Sequence, residues 1–198
     1  MDRLCHTLQS VAMSPAPAAP TLHPTLWRTC RVLANRTRLK MLDLLIREQP
    51  LSVSAVASQL NLDLPVASQS LRALEARGFL TSRRVSSRVD YRLNNEGAAP
   101  LAASVRQAFQ LYPTPLETIF KLATAFTHPR RVEIFRALAG SSRSLDRLRA
   151  FTRIPRRSLY RHLAKLESRG FVRQQHGLFQ IVERTDALGK SLVRLALE

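Results

Sequence analysis

Apolar residues recur at helical spacing along most of the chain, from Thr25 to its last residue. In the first half this spacing predicts two helices, a short third helix capped by Ser52 and a fourth helix capped by Asp63. Their apolar stripes are Leu26, Cys30 and Leu33; Leu39, Leu42 and Leu45; Val53, Val56 and Leu60; and Ala67, Leu71 and Leu74. Each stripe predicts one helix face buried against a common core.

The spacing changes after Gly78, which stands at a C-cap position of the fourth helix. The segment "FLTSRRVSSRVDYRL" is rich in β-prone residues and predicts a hairpin of two basic strands that turns at Ser86 and Ser87. A closing helix from Ala98 to Tyr112 is predicted next, because apolar residues return at helical spacing there.

The second half of the chain repeats the first. The segment "LRALEARGFL" at 71–80 returns as "LAKLESRGFV" at 163–172, with six of ten residues identical. The predicted elements also recur in order: helices in 116–126, 129–140, 144–151 and 155–168, a hairpin turning at His176 and Gly177, and a closing helix with Leu188, Leu192 and Leu195 on one face. We interpret the chain as an internal repeat of about 85 residues.

Within each repeat, three helices followed by a β-hairpin are the element order of a winged helix-turn-helix. The sequence therefore predicts a mostly α fold with small β-hairpins (α+β), built from two tandem winged helix-turn-helix domains. We expect a flexible Pro- and Ala-rich leader in 1–24, a first domain in 25–112, a linker in 113–115 and a second domain in 116–198. The recognition helices are predicted at 64–77 and 155–168.

The chain is strongly basic, with 31 Lys and Arg against 14 Asp and Glu and a formal net charge of +17. Such an excess repels itself and favours an anionic partner such as nucleic acid. A skewed codon composition is the alternative, because only four of the 31 cations are Lys. No apolar run approaches the roughly 18 residues of a membrane span. No secretory signal is recognised, so we expect a cytosolic protein without a membrane partner.

The segments "LANRTRLKMLDLL" and "LSVSAVASQLNLDLPVASQSLRALEARGFL" resemble the ArsR family of bacterial winged-helix repressors. In the second repeat "YRHL" at 160–163 carries the Arg-His-Leu that the family usually has on its recognition helix. The resemblance implies a transcriptional repressor that binds DNA in the bacterial cytoplasm, in association with the nucleoid. No catalytic constellation accompanies the five scattered histidines, so we expect no enzyme.

Metal-sensing members of that family carry a Cys-x-Cys pair before the recognition helix, or Asp and His on the closing helix. The corresponding segments here, "VSAVASQL" and "PLAASVRQAF", contain neither a thiol nor an imidazole. We therefore expect no metal and no cofactor. A site built from Cys5, His6, His23 and Cys30 stays open as an alternative, although burial as a free thiol is the commoner role for Cys30.

Burial of the apolar stripes would turn the side chains on the opposite face of both recognition helices outward. These side chains are Pro65, Ser68, Gln69 and Arg72 in the first helix, and Arg156, Arg157, Tyr160, Arg161 and Lys165 in the second, with Arg153 just before it. In the major groove Gln pairs with adenine and Arg with guanine. The hairpins are expected to act as wings that contact phosphates through Arg83, Arg84, Arg88, Arg173 and His176.

Two recognition helices in one chain indicate an intrachain pseudo-dimer on double-stranded DNA. We expect its two halves to be sealed by Leu101, Val105, Phe109, Leu116, Ile119, Phe120, Leu192 and Leu195. Three alternatives stay open: the whole chain dimerises again, a unit docks a protein instead of DNA, or nucleic acid is bound without sequence preference. The first unit fits docking best, because Arg72 is the only charge on its predicted recognition face.

Overall fold

The structure is a computed structural model that describes residues 25–95 and 101–198. The predicted leader at 1–24 and the predicted start of the closing helix at Ala98 lie outside the described residues. So do Cys5, His6 and His23, which belong to the alternative metal site.

The first unit contains four helices before its hairpin and one helix after it. Its elements are α1 (Leu26–Leu33), α2 (Arg36–Arg47), β1 (Leu51–Ser52), α3 (Val53–Gln59), α4 (Leu64–Glu75), β2 (Leu80–Val85), β3 (Arg88–Leu93) and α5 (Ala102–Leu111). Ser52 caps α3 as predicted, since its hydroxyl accepts a hydrogen bond from the backbone nitrogen of Ala55 at 3.2 Å. Asp63 stands at the N-cap of α4, but its carboxylate accepts no capping hydrogen bond, which corrects the prediction.

The second unit has the same order of elements. They are α6 (Pro115–Ala123), α7 (Pro129–Ala137), β4 (Arg143–Ser144), α8 (Leu145–Thr152), α9 (Arg156–Ser168), β5 (Val172–Gln175), β6 (Leu178–Ile181) and α10 (Ala187–Leu197). Gly78 and Gly170 follow the two long helices with φ of 74° and 73°, a left-handed conformation that a residue without Cβ adopts without strain. The predicted fold of two tandem winged units is confirmed.

Each hairpin gains a third strand that the sequence did not predict. The hairpins turn at the expected residues, since Val85 pairs with Arg88 and Gln175 pairs with Leu178. The two-residue strands β1 and β4 add to the outer edges, giving the orders β1-β3-β2 and β4-β6-β5. A strand of two residues has too few positions to show an alternating pattern, so periodicity does not reveal it.

The cores lie beneath α4 and α9 and fix which face each helix exposes. The stripe Leu71 and Leu74 of α4 is fully buried, and so is the stripe Leu159, Leu163 and Leu166 of α9. In the second unit Phe126, Phe135 and Phe171 pack edge to face, with ring centroids 4.9 to 6.4 Å apart. This packing leaves the opposite faces of α4 and α9 directed toward solvent.

The two units pack against each other through their first and last helices. Helix α6 lies against α1, α2 and α5, and α10 lies against α5 and α1. Polar contacts accompany this packing: Arg36 forms a two-pronged ion pair with Glu117 at 2.7 and 2.8 Å, the hydroxyls of Ser104 and Ser191 lie 2.6 Å apart, and the Tyr112 hydroxyl donates to Asp186 at 2.8 Å. Pro115 is already the first residue of α6, so Tyr112–Thr114 connects the helices instead of the predicted 113–115.

Candidate nucleic-acid interface

Helix α9 exposes a row of cationic and aromatic side chains. Arg157 and Arg161 are exposed, and Tyr160 keeps 59% of its surface accessible. Arg156 is exposed as well and lies 3.4 Å from the Asp146 carboxylate, whereas Lys165 is half-buried on the flank. Arg153 ends α8 in a left-handed conformation with φ of 54° and is also exposed, just before α9 begins.

Helix α4 presents a different surface. Pro65, Gln69 and Arg72 are exposed, and Ser68 is half-buried. The sequence missed two apolar side chains at the start of α4: Leu64 is 55% and Val66 43% exposed. The outer face of α4 therefore combines apolar side chains with uncharged polar ones and carries little charge, whereas the outer face of α9 is cationic.

Both hairpins carry exposed basic side chains along their strands and turns. Arg83, Arg84 and Arg88 are exposed in the first hairpin, and Arg88 lies 3.3 Å from the carboxylate of the buried Asp90. The first hairpin also exposes Arg92, which the sequence analysis did not single out. Arg92 lies on β3 four positions after Arg88, and its place in the predicted basic hairpin is the signal that could have revealed it.

In the second hairpin Arg173 and His176 are exposed. His176 forms the turn with Gly177, and both have positive φ, 50° and 75°, as a two-residue hairpin turn of this type requires. The turn therefore projects the imidazole beyond the paired strands. Phosphate contacts by these wing side chains stay a prediction.

A second basic cluster lies beside α9 and was missed by the sequence analysis. His128, Arg130 and Arg131 at the start of α7 face His162 on α9, and the imidazole rings of His128 and His162 are 4.7 Å apart. The signal was present in the sequence as "HPRR" at 128–131. The sequence alone does not show that this segment folds against the recognition helix, so the cluster could not be assigned from it.

Cys30 is fully buried on α1, and this burial raises the pKa of its thiol far above the usual range. Within residues 25–95 and 101–198, no three His, Cys, Asp or Glu side chains cluster closely enough to hold a metal ion. Across the same ranges, no helix is both long and apolar enough to cross a membrane.

Two proteins with known names or structures are similar to parts of the chain. The HTH-type transcriptional regulator Rv0324 of Mycobacterium tuberculosis is 38% identical over 79 residues, which are 40% of this chain and 34% of that protein. The match thus spans about a third of the length of that relative. A solution NMR structure from Mycobacterium bovis is 31% identical and covers 51% of this chain and 93% of its own, with a TM-score of 0.39. It is described as a homodimeric winged helix-turn-helix DNA-binding domain of a possible ArsR-family transcriptional regulator.

A sequence family described as "Helix-turn-helix domain" matches the chain twice, at residues 33–83 and 126–175. The first match runs from the end of α1 into β2, and the second runs from the segment before α7 to the end of β5. The two matches cover the same elements in each unit and together account for just over half of the chain. The protein therefore belongs to this helix-turn-helix family and carries its domain in two tandem copies.

Proposed function

We propose that the protein is a sequence-specific transcriptional repressor that binds double-stranded DNA through two non-equivalent recognition helices, α4 and α9, and two basic wings. The observation that carries this proposal is the cationic outer face of α9, opposite a fully buried stripe. A major groove about 12 Å wide accepts a helix that presents such a face. Because a repressor acts on the chromosome, we infer a cytoplasmic location in association with the nucleoid.

Most of the cationic side chains on and just before α9 have no ion-pair partner within the described residues. In the described part of the chain, Arg156 forms an ion pair with Asp146, and both side chains are largely exposed. No ion pair is found there for Arg153, Arg157 or Arg161. Cations crowded on one turn repel each other and lower helix stability. Phosphate oxygens and guanine edges would relieve this repulsion, and bidentate guanidinium contacts are the usual way to do so.

We further propose that the two units act together as an intrachain pseudo-dimer. The packing of α6 on α1, α2 and α5 and of α10 on α5 and α1 supports this. Among the predicted contact residues, Leu101, Val105, Ile119 and Leu192 are buried and Phe109, Leu116, Phe120 and Leu195 are half-buried. The proposal implies a non-palindromic target of two half-sites roughly 34 Å apart. Light scattering with and without target DNA distinguishes one chain per site from a whole-chain dimer.

The decisive experiment is selection of bound sequences from a random duplex pool at about 150 mM salt, where non-specific binding is weak. The affinity of the selected duplex is then measured for Arg157→Gln/Arg161→Gln on α9. We expect it to fall on the order of a hundredfold or more, because each bidentate base contact contributes about 1–3 kcal/mol. The matched control is Lys190→Gln/Arg194→Gln on α10, which removes the same charge from another exposed helix and should change affinity much less.

Equal losses in both double variants would mean that net charge alone attracts DNA, and recovery of no common sequence would reject specific reading. The salt dependence of DNA affinity provides a second test, because the wings are expected to contact phosphates. With about six phosphate contacts in all, affinity should fall about a thousandfold between 50 and 200 mM salt. A flat salt dependence would contradict DNA binding by the basic faces.

For the first unit, docking of a protein is a second candidate function. The exposed Leu64 and Val66 favour it, because apolar side chains at the start of α4 suit a protein surface as well as thymine methyl groups. Gln69→Ala/Arg72→Ala distinguishes the two functions. Loss of specificity at one half-site supports DNA reading by α4, whereas unchanged affinity and specificity assign α4 to docking.

A further inference from the structure

A basic cleft of about 590 Å³ separates the start of α7 from the flank of α9. Its lining residues are His128, Arg130, Arg131, Ile154, Pro155, Ser158, Arg161, His162 and Lys165. Four of these carry a positive charge, two are imidazoles and none is a carboxylate. Outside the lining, the carboxylate of the half-buried Glu133 on α7 lies 3.3 Å from Arg130.

One of the four cations has a structural role. The Arg131 guanidinium donates to the backbone carbonyls of Ala125 and Thr124, which closes the loop before α7. Its counterpart in the first unit is Arg38, whose guanidinium donates to the carbonyls of Val32 and Arg31 in the same way, at 2.7 and 3.1 Å. The fold therefore accounts for this arginine in both units. Because the carbonyl acceptors are neutral, the Arg131 guanidinium keeps its net positive charge.

The fold does not account for the other basic groups of the cleft. At the positions of the first unit that correspond to Arg130, Arg161 and Lys165 by the repeat spacing, the chain has Thr37, Gln69 and Ala73, and it has Asn35 and Ser70 in place of His128 and His162. The first unit forms the same helices without any of these five. Packing of a winged unit thus does not require them.

Their concentration in the second unit is electrostatically unfavourable. Burial and then the neighbouring His128 and Arg131 lower the pKa of His162 to about 4, and burial followed by Arg131 and Arg130 lowers the pKa of His128. Burial and the guanidinium groups of Arg169 and Arg131 also lower the pKa of Lys165. A site in which cations depress each other's protonation stabilises an anion that enters it.

We propose that this cleft is a binding site for a phosphate-bearing anion, held by Arg130, Arg161 and Lys165 and by the paired imidazoles of His128 and His162. Guanidinium and ammonium groups around one cavity match a tetrahedral dianion. The Ser158 hydroxyl adds a neutral donor, and the apolar Ile154 and Pro155 suit the organic part of a phosphate monoester. The phosphate group is the shared chemistry, and either a free ester or the DNA backbone supplies it.

The site is coupled to the proposed function through two residues. Arg161 and Lys165 belong both to the cleft and to the predicted DNA-binding face of α9. A free phosphate ester in the cleft would therefore weaken DNA binding, and this coupling rests on the proposed function. Binding of the anion itself does not, because it is measured without DNA.

Anion binding should take up protons. Each element packed around the imidazoles contributes cationic groups: Arg31 on α1, Arg130 and Arg131 on α7, Arg161 and Lys165 on α9, and Arg169 after it. Glu133, an acidic group on α7, pairs with Arg130. A dianion reverses this field and raises the pKa of both rings. Because the second pKa of a phosphate monoester is about 6, the ester is still mainly a dianion at pH 7, and proton uptake by the imidazoles is expected on binding there.

The test is titration of inorganic phosphate and glycerol 1-phosphate into the full chain without DNA. Isothermal calorimetry in two buffers of different ionisation enthalpy measures proton uptake, and NMR follows the imidazole signals of His128 and His162. Arg130→Gln and Lys165→Gln are each expected to weaken phosphate binding on the order of tenfold. The controls Arg149→Gln on α8 and Lys190→Gln on α10 remove an equivalent exposed charge and should leave phosphate binding unchanged.

A second arm identifies the source of the phosphate. Target duplex is titrated onto the same protein while the imidazole signals are followed. If saturating duplex moves these signals and prevents their response to glycerol phosphate, the DNA backbone occupies the cleft. If glycerol phosphate binds without duplex and lowers duplex affinity in the wild type but not in Arg130→Gln, the occupant is a free ester. Binding of glycerol 1-phosphate at pH 7 without proton uptake, or equal loss in variants and controls, would overturn the proposal even when DNA binding is intact.

Discussion

The hydrogen bond between Tyr112 and Asp186 joins the end of the first unit to the start of α10, and removing it tests whether the two units form one cooperative structure. The Tyr112 hydroxyl donates to Asp186 at 2.8 Å, and both side chains are half-buried. Asp186 also accepts from the backbone nitrogen of Gly189 at 2.6 Å and from Arg184. In Tyr112→Phe the carboxylate keeps these two donors, so no buried charge is left without a partner.

The expected loss follows from this geometry. Hydrogen bonds to charged groups contribute about 1.5–3 kcal/mol, and the remaining donors place Tyr112→Phe at the lower end, about 1.5 kcal/mol. The ion pair of Arg36 with Glu117 is largely exposed and should contribute much less. Urea unfolding at pH 7, followed by circular dichroism, measures the free energy of unfolding. Tyr160→Phe makes the same chemical change at a side chain that is 59% exposed and should alter it by less than about 0.5 kcal/mol.

The pH dependence provides an independent check of the same bond. Burial tends to raise the pKa of Asp186, but hydrogen bonds from Gly189, Tyr112 and Arg184 outweigh it and hold the pKa below its usual range. A depressed carboxyl pKa stabilises the fold above its ordinary value near 3.9 and loses that contribution as the pH falls through the folded-state pKa. The difference in stability between the wild type and Tyr112→Phe should therefore shrink as the pH falls through the folded-state pKa of Asp186. Two separate unfolding transitions, with only one affected by Tyr112→Phe, would show that the units are independent and refute the reasoning.

Three further predictions concern the second unit. Leu163→Ala, at a fully buried position, should reduce the free energy of unfolding by about 3–5 kcal/mol in urea titrations. Gly170→Ala should destabilise by about 1–2 kcal/mol because its φ is 73°, and by more than Gly140→Ala, since an added Cβ at Gly170 lies 3.1 Å from Arg184 and one at Gly140 meets nothing within 4 Å. The depressed pKa of His162 stabilises the fold above pH 6.5 and loses that contribution as the pH falls toward 4. His162→Gln should therefore reduce the loss of stability between pH 7 and 4.5 by about 1 kcal/mol, after allowance for solvent screening.

The repeat could be predicted because matching segments recur in the same order in both halves of the chain, and the buried helix faces because they rest on local periodicity. The stripes that end in Leu74 and Leu166 lie in the cores as expected, and the turns at Ser86 and His176 carry the predicted pairing. These features depend on residues three or four positions apart, or on two-residue turns, so tertiary contacts do not alter them.

What the sequence did not predict depends on contacts between distant segments. Strands β1 and β4 form only because β3 and β6 offer free edges. The pair of His128 and His162 is separated by 34 positions in sequence and meets only after α7 and α9 pack.

The joining of the two helix-turn-helix units by Tyr112–Thr114 has a consequence for the protein in a crowded cell. Separate subunits exchange with relatives and fall apart when diluted, so their pairing depends on abundance. Units joined by three residues face each other at a high effective concentration that expression level does not change. The two units can therefore evolve different binding preferences, because each unit is always paired with the other unit of the same chain.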